Sequence, residues 1–446
     1  MSSSSSWDQY IALSRFGYGP DREEGLGFYR GRPLDRLIDQ ITDPRLPKHL
    51  TDHGGIELSY KFLSAARKNK TKELVRLARK AMRDNYMGFV YDLFLHRQKT
   101  DQPFIERLCA FWSNHFTVSI DKPVVLGLLR DYEYTAIRPY ITGRFADMLI
   151  AVASHPAMLL YLDNAQSFGP NTLFARFAKR GLNENLAREI LELHTIGVDA
   201  GYSQHDVIAF AKMLTGWSLE LRQNRTPYPK FHFHARGHEP GPKTLLGRTY
   251  KEDGINEAKA ALSMLATHPR TARRLATKMA RHFISDKPSS NLIMKMEQAF
   301  LRGGGDLFAM TQAMLRHSES WLQDLRKVKT TPDYIVSSFR ALGFQPKEFH
   351  TVTSLHSLDY LPFKAPDPQG FSDDNSYWAA PGALVKRAEW AQEAAVRIKG
   401  KYDPFMLGKQ LFGPYLSNST AFALKGAESQ SQGLTLLLMS PEFQRR

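Results

Sequence analysis

The sequence holds a single cysteine, Cys109, in 446 residues. An intrachain disulfide is therefore impossible, and a thiolate-rich metal site is excluded. No window approaches the ~18 consecutive apolar residues of a membrane-spanning helix. There is no G-x-S-x-G elbow, no G-x-x-x-x-G-K-[ST] phosphate loop, no G-x-G-x-x-G after a strand and no H-E-x-x-H. Those absences set aside serine-hydrolase, P-loop and zincin chemistry. The amino-terminal MSSSSSWDQYIALSRFGYGP lacks a basic region followed by an apolar run, so the sequence as it stands reads as cytoplasmic.

What is present fits a globular protein: 42% hydrophobic and 24% charged residues suffice for a sizeable core. The expectation is one domain over 1–446, with 1–220 and 221–446 as the halves if it divides. Lys and Arg number 60 against 45 acids, a net charge of +15 that would suit a polyanionic partner. The basic residues are spread along amphipathic stretches such as RKNKTKELVRLARKAMR (67–83), where a solvated helix face is the plainer reading.

Apolar residues recur with a helical period over 71–98 and 103–116. Further helices are expected at 123–139, 144–162, 184–196, 203–219, 255–266, 269–284, 289–302, 305–316, 331–342, 382–398 and 430–439. Ser203 with Asp206 resembles a capping box, and Thr331-Pro332 puts proline at a helix start. His155 before Pro156 marks an irregularity, and RGGGD (302–306) a stop followed by a new start. YPKFHFHARGHEPGPKTLLGRTY (228–250) breaks the pattern with alternation and Gly/Pro punctuation. The fold class is mainly α, a bundle-like globular protein with a small β-hairpin or loop insertion near 228–250. A second irregular stretch, 361–381, is long enough to be functional.

The stretch NENLAREILELHTIG (183–197) concentrates polar groups. On a helical wheel Leu186, Leu193, His194 and Gly197 fall within about 60° of Ile190 and define its buried side. Glu184, Arg188 and Glu192 form an i, i+4 ladder, whose plain reading is a solvated face. The functional alternative makes Glu189, Glu192, Arg188 and His194 catalytic. Asn183, Asn185, Asp206, Trp217 and Lys243 are then binding residues. His115, on the apolar stripe of FWSNHF, reads as core or as a metal ligand, and His238 is the second metal candidate. His232 and His234 would share one face of a strand.

These segments resemble the bacterial DUF-1800 family, a domain of unknown function. The resemblance runs through SRFGYGP (14–20), FWSNHF (111–116), SHPAMLLYLDN (154–164), the whole of 183–217, GHEPGPKTLLG (237–247), DPQGF and YWAAPGALVKRAEWA. Two positions depart from its pattern: Glu239 follows His238 where Asp is usual, and Phe371 follows Gly370 where Trp is usual. The resemblance implies that the acids and amides of 183–194 belong to the family signature. It also implies a DUF-1501-like partner and, from relatives that look exported, a compartment outside the cytoplasm.

Two functions remain open. The first is a metal-assisted hydrolase or transferase, in which a divalent cation lowers the pKa of bound water toward ~7 and Arg188 or Lys243 stabilises an anion. On a regular helix, however, Glu189, Glu192 and His194 point to different faces. The second is a non-catalytic helical module that binds a polyanion or assists assembly of cell-surface material. Sequence-independent nucleic-acid binding ranks below both, for want of a concentrated basic motif.

Overall fold

Prolines in the first turn and short polar caps start most of the helices. Pro103, Pro156, Pro269, Pro381 and Pro404 each open one, where the missing N–H would have had no partner. Ser203 and Asp206 form a full capping box, and Thr330 caps the helix Thr331–Leu342. Asp306 accepts from the amides of Phe308 and Ala309, so the 302–306 stretch is the stop and restart that its glycines announce.

The computed structural model describes residues 3–29, 31–47, 54–67, 72–178, 181–220, 229–344, 347–398 and 400–446. The protein is mainly α-helical, and among the described residues no helix is long and apolar enough to cross a membrane. Its buried hydrophobic residues form one continuous cluster from Tyr10 to Phe443.

The β excursion consists of two separate antiparallel hairpins. β1 (Trp217–Glu220) pairs with β2 (Lys230–Phe233), and β3 (Lys243–Leu245) pairs with β4 (Arg248–Tyr250). Trp217 therefore opens a strand and does not close a helix, because Gly216, at φ 79°, ends the helical run that began at Gln204. The turn between β3 and β4 places Leu246 and Gly247 at φ 49° and 75°, the signs of a type I′ turn. Residues 221–228, including the start of the expected hairpin, lie outside the described residues, as do 68–71 of the basic stretch.

Three other departures bear on function. The expected helix 144–162 is broken at His155, whose Nδ1 accepts from the Ala157 amide at 3.1 Å while Nε2 donates to Asp131 at 2.9 Å. The expected 123–139 helix is a succession of short 3-10, α and π turns. Most importantly, Asn185–Glu189 is α-helical but Ile190–His194 is a π-helix, so the regular wheel does not hold there.

The helix Pro103–His115 is locked by a buried ionic network. Arg138 makes two bonds of 2.6 Å to the Glu106 carboxylate and one of 3.2 Å to Glu133. Burial alone would raise the Glu106 carboxyl. Arg138, by charge and hydrogen bonds, with His96, instead holds it well below the ordinary carboxylate range. That anchor fixes the far end of the helix, where Asn114 and His115 stand.

Candidate functional site

The helix Pro269–Phe283 has two faces written into PRTARRLATKMARHF. Ala272, Leu275, Ala276, Met279 and Phe283 are buried. Arg270, Arg273, Arg274, Lys278 and Arg281 recur at spacings of three and four, which puts them on one stripe. That stripe forms one wall of a cavity of about 400 Å³. The opposite walls are Ile196–Asp199, just after the π turn, and Gln369, Phe371, Ser372, Asp373 and Asp374 of the second irregular stretch.

Two glycines let the walls approach. Gly197, at φ 90°, leaves room for Arg274, whose Nη1 would lie 3.1 Å from an added Cβ. Gly370, at φ 87°, passes so close to Asn114 that a Cβ would sit 2.4 Å from its backbone oxygen. Asn114 then clasps Phe371: its Nδ2 donates to the Phe371 carbonyl and its Oδ1 accepts from the Phe371 amide, both at 2.8 Å. Trp378 Nε1 donates to the Ser372 carbonyl at 2.7 Å. The irregular loop is thus tied to the end of the Pro103–His115 helix.

Behind the basic wall lie two histidines. Lys278 Nζ is 3.4 Å from His115 Nδ1, and His115 Nε2 is 3.2 Å from the His194 carbonyl. An ammonium can only donate and a carbonyl can only accept, so His115 carries its proton on Nε2. Burial, then Lys278 and His194, depresses the His115 pKa well below its ordinary value. His194 is lowered to about 3, by burial first and then by Lys278 and Arg274. Its Nδ1 is buried without a hydrogen-bond partner among the described residues. Burial also lowers Lys278, with Asp373 opposing and Arg274 reinforcing the shift. Asp373 stays anionic against burial chiefly because His282 Nδ1 bonds it at 2.7 Å.

The acids of the 184–192 stretch face other groups. Glu189 is half-buried, and its pKa is raised by burial first and then by Glu192, with Arg188 opposing and Asp367 adding to the rise. Arg188 bonds Glu184 at 3.1 Å, Gln204 at 2.9 Å and Glu192 at 3.5 Å. Tyr202 is pushed up to about 12 by burial and by its hydrogen bond to Glu192. The Arg188 ladder is therefore present as the sequence draws it, while His194 turns away from it into the core beside His115.

The remaining sequence candidates are dispersed. Asn183 Oδ1 accepts from the Asn185 amide at 2.9 Å, a local turn, and Asn185 is exposed. Asp206 accepts from Ser203 and, at 2.7 Å, from the Leu246 amide, joining helix to hairpin. Trp217 is fully buried, edge-on to Phe231 at 5.2 Å. Lys243 Nζ bonds the buried Glu257 at 2.7 Å, and His238 sits between Glu257 and the Thr215 carbonyl, at 2.8 Å from the latter. The His232 and His234 ring centroids are 6.3 Å apart, but His234 lies just past the end of β2 and Phe174 packs on it at 4.4 Å.

Among the described residues no three His, Cys, Asp or Glu side chains are gathered for one metal ion. The sequence reading names the 269–284 helix but not its basic stripe, and the three-and-four spacing of its Arg and Lys was the available signal.

Fold and geometry together define a mainly α-helical protein with a basic cavity closed by an irregular loop. The chain belongs to the family described as "protein of unknown function (DUF1800)", whose model matches residues 11–445. No curated protein and no solved structure matches it.

Proposed function

We propose that the cavity binds a small anionic molecule, one carrying a phosphate, sulfate or carboxylate. One observation carries this reading. Arg270, Arg274, Lys278 and Arg281 line the cavity, and among the described residues none of them is paired with a carboxylate. The cavity lining carries five basic side chains against three acids, Asp199, Asp373 and Asp374, and an anion between the cations relieves their mutual repulsion. A volume of about 400 Å³ lies in the range of small-molecule sites and is too small for more than a short piece of a polyanion.

The test is thermal unfolding in sulfate, phosphate and simple carboxylates, with ionic strength held constant by chloride. A ligand that binds only the native state raises Tm with concentration. The expected result is a saturable rise in the wild type that is lost in Arg274→Met/Lys278→Met. Equal responses from both proteins would overturn the reading.

An enzymatic role is favoured by Glu189, a half-buried carboxyl with raised proton affinity, close enough to Asp367 to feel its charge. Glu189 is not among the residues that line the cavity, so in that role it serves a substrate held beside it and not the docked anion itself. Glu189→Gln would then leave the anion-induced rise in Tm intact while abolishing turnover.

A further inference from the structure

Among the cavity cations, Lys278 stands apart. Its neighbours Arg270, Arg274 and Arg281 are guanidiniums, which stay charged in any protein setting. Lys278 is instead a primary amine, and its close polar neighbour is an imidazole nitrogen, His115 Nδ1, at 3.4 Å. Asp373, in the same cavity lining, acts on Lys278 through its charge, but no hydrogen bond or ion pair joins the two among the described residues. A neutral imidazole nitrogen suits an uncharged amine equally well. The amine donates one N–H to Nδ1 and keeps its lone pair for the cavity that it lines. The His115 tautomer is fixed from the other side by the His194 carbonyl, so Nδ1 remains an acceptor.

We propose that Lys278 is a nucleophilic amine that forms an imine with a carbonyl-bearing anion, of which a 2-oxo acid is the simplest class. The inference rests on the anion-binding reading, since the arginines dock the acid group while the amine meets the adjacent carbonyl. The free amine attacks the carbonyl carbon, forming a C–N bond as the π pair moves to oxygen. A proton passes from nitrogen to that oxygen, giving a carbinolamine. Loss of the second nitrogen proton and of hydroxide as one water leaves the C=N bond. No electrons are gained or lost overall. Burial favours the uncharged amine that the first step needs; Asp373 opposes it and Arg274 adds to it, and burial prevails. His115 is a positioning residue here: with its own pKa far below neutrality, it orients the amine and does not take its proton.

The experiment incubates the intact protein with pyruvate and cyanoborohydride, then maps the reduced adduct by peptide mass spectrometry. Lactate, which lacks the carbonyl, reports docking alone through Tm. The expected result is an adduct at Lys278 about tenfold above that at the exposed Lys259 and Lys295. In Lys278→Arg, which keeps the positive charge, the adduct should disappear while the far-UV circular dichroism of the fold is unchanged. If lactate and pyruvate both raise Tm but no adduct forms at Lys278, the imine is refuted and anion binding stands. If neither raises Tm, both readings fall. An adduct spread evenly over surface lysines, unchanged in Lys278→Arg, also overturns the imine.

Discussion

His115 and His194 lie with ring centroids 6.0 Å apart, and the Nε2–H of the first donates to the backbone carbonyl of the second. The contact ties the Pro103–His115 helix to the last residue of the π-helical segment, directly behind the basic wall. Both rings are buried and both are held neutral by burial and by Lys278.

A pH dependence follows. In the unfolded chain a histidine binds its proton near the ordinary 6.5, whereas folded His194 does so only near about 3. Between those values the unfolded state holds more protons, so stability falls as pH drops from 6.5 toward 3, by up to ~1.4 kcal/mol per pH unit for this group. Urea unfolding from pH 7 to 4 should show a flatter acid limb in His194→Gln than in the wild type. Identical limbs, or a His194 imidazole that is protonated at pH 5 by NMR, would refute the assignment.

Glu106 offers a second test. Glu106→Gln leaves Arg138 buried with only the 3.2 Å contact to Glu133, and losing one member of such a pair costs about 3–5 kcal/mol. Arg188→Ala, in the part-exposed ladder, should cost under ~1 kcal/mol in the same denaturation series. Comparable losses from the two would show that the core network is not the anchor of the Pro103–His115 helix.

Gly370→Ala probes the loop without touching a cation. The new methyl would collide with the Asn114 carbonyl and strain a backbone at φ 87°. The expected outcome is at least a tenfold loss of anion affinity, with faster amide exchange over 367–374 and little change in the Asn185–His194 segment. Unaltered affinity would mean that the Asn114–Phe371 clasp does not shape the cavity.

How far these features could be read in advance varies with how local their causes are. Ser203, Pro332 and Asp306 act within one turn, and the sequence places them correctly. The helix Ile255–Ala266 and the helix Gln430–Met439 carry enough apolar repeats to be delimited in full. The helices Pro33–Thr42 and Pro404–Phe412 pass unread, although Leu34, Leu37, Ile38 and Ile41 recur at helical spacing in the first. The wheel at 190–194 fails for a different reason. There the Thr195 hydroxyl takes the Ile190 carbonyl at 2.6 Å and Gly197 closes on Leu191, contacts outside any regular helical pattern. Both halves of the cavity were visible, as a helix and as an irregular stretch, but roughly ninety residues separate Lys278 from Phe371. Two tertiary contacts, the Asn114 clasp on Phe371 and the His282–Asp373 bond of 2.7 Å, bring them together.

The arginines of the core carry a consequence for any encounter with an anion. Among the described residues, eleven Lys and Arg side chains are buried, Arg15, Arg107, Arg138, Arg387 and Arg446 among them, against five buried acids. The far field that draws an anion inward counts every one of these charges, whatever its depth. The contact pairs that would release counterions from a long chain count only the cations at the surface. Part of the positive charge that draws an anion inward therefore sits on groups that an extended polyanion could not touch.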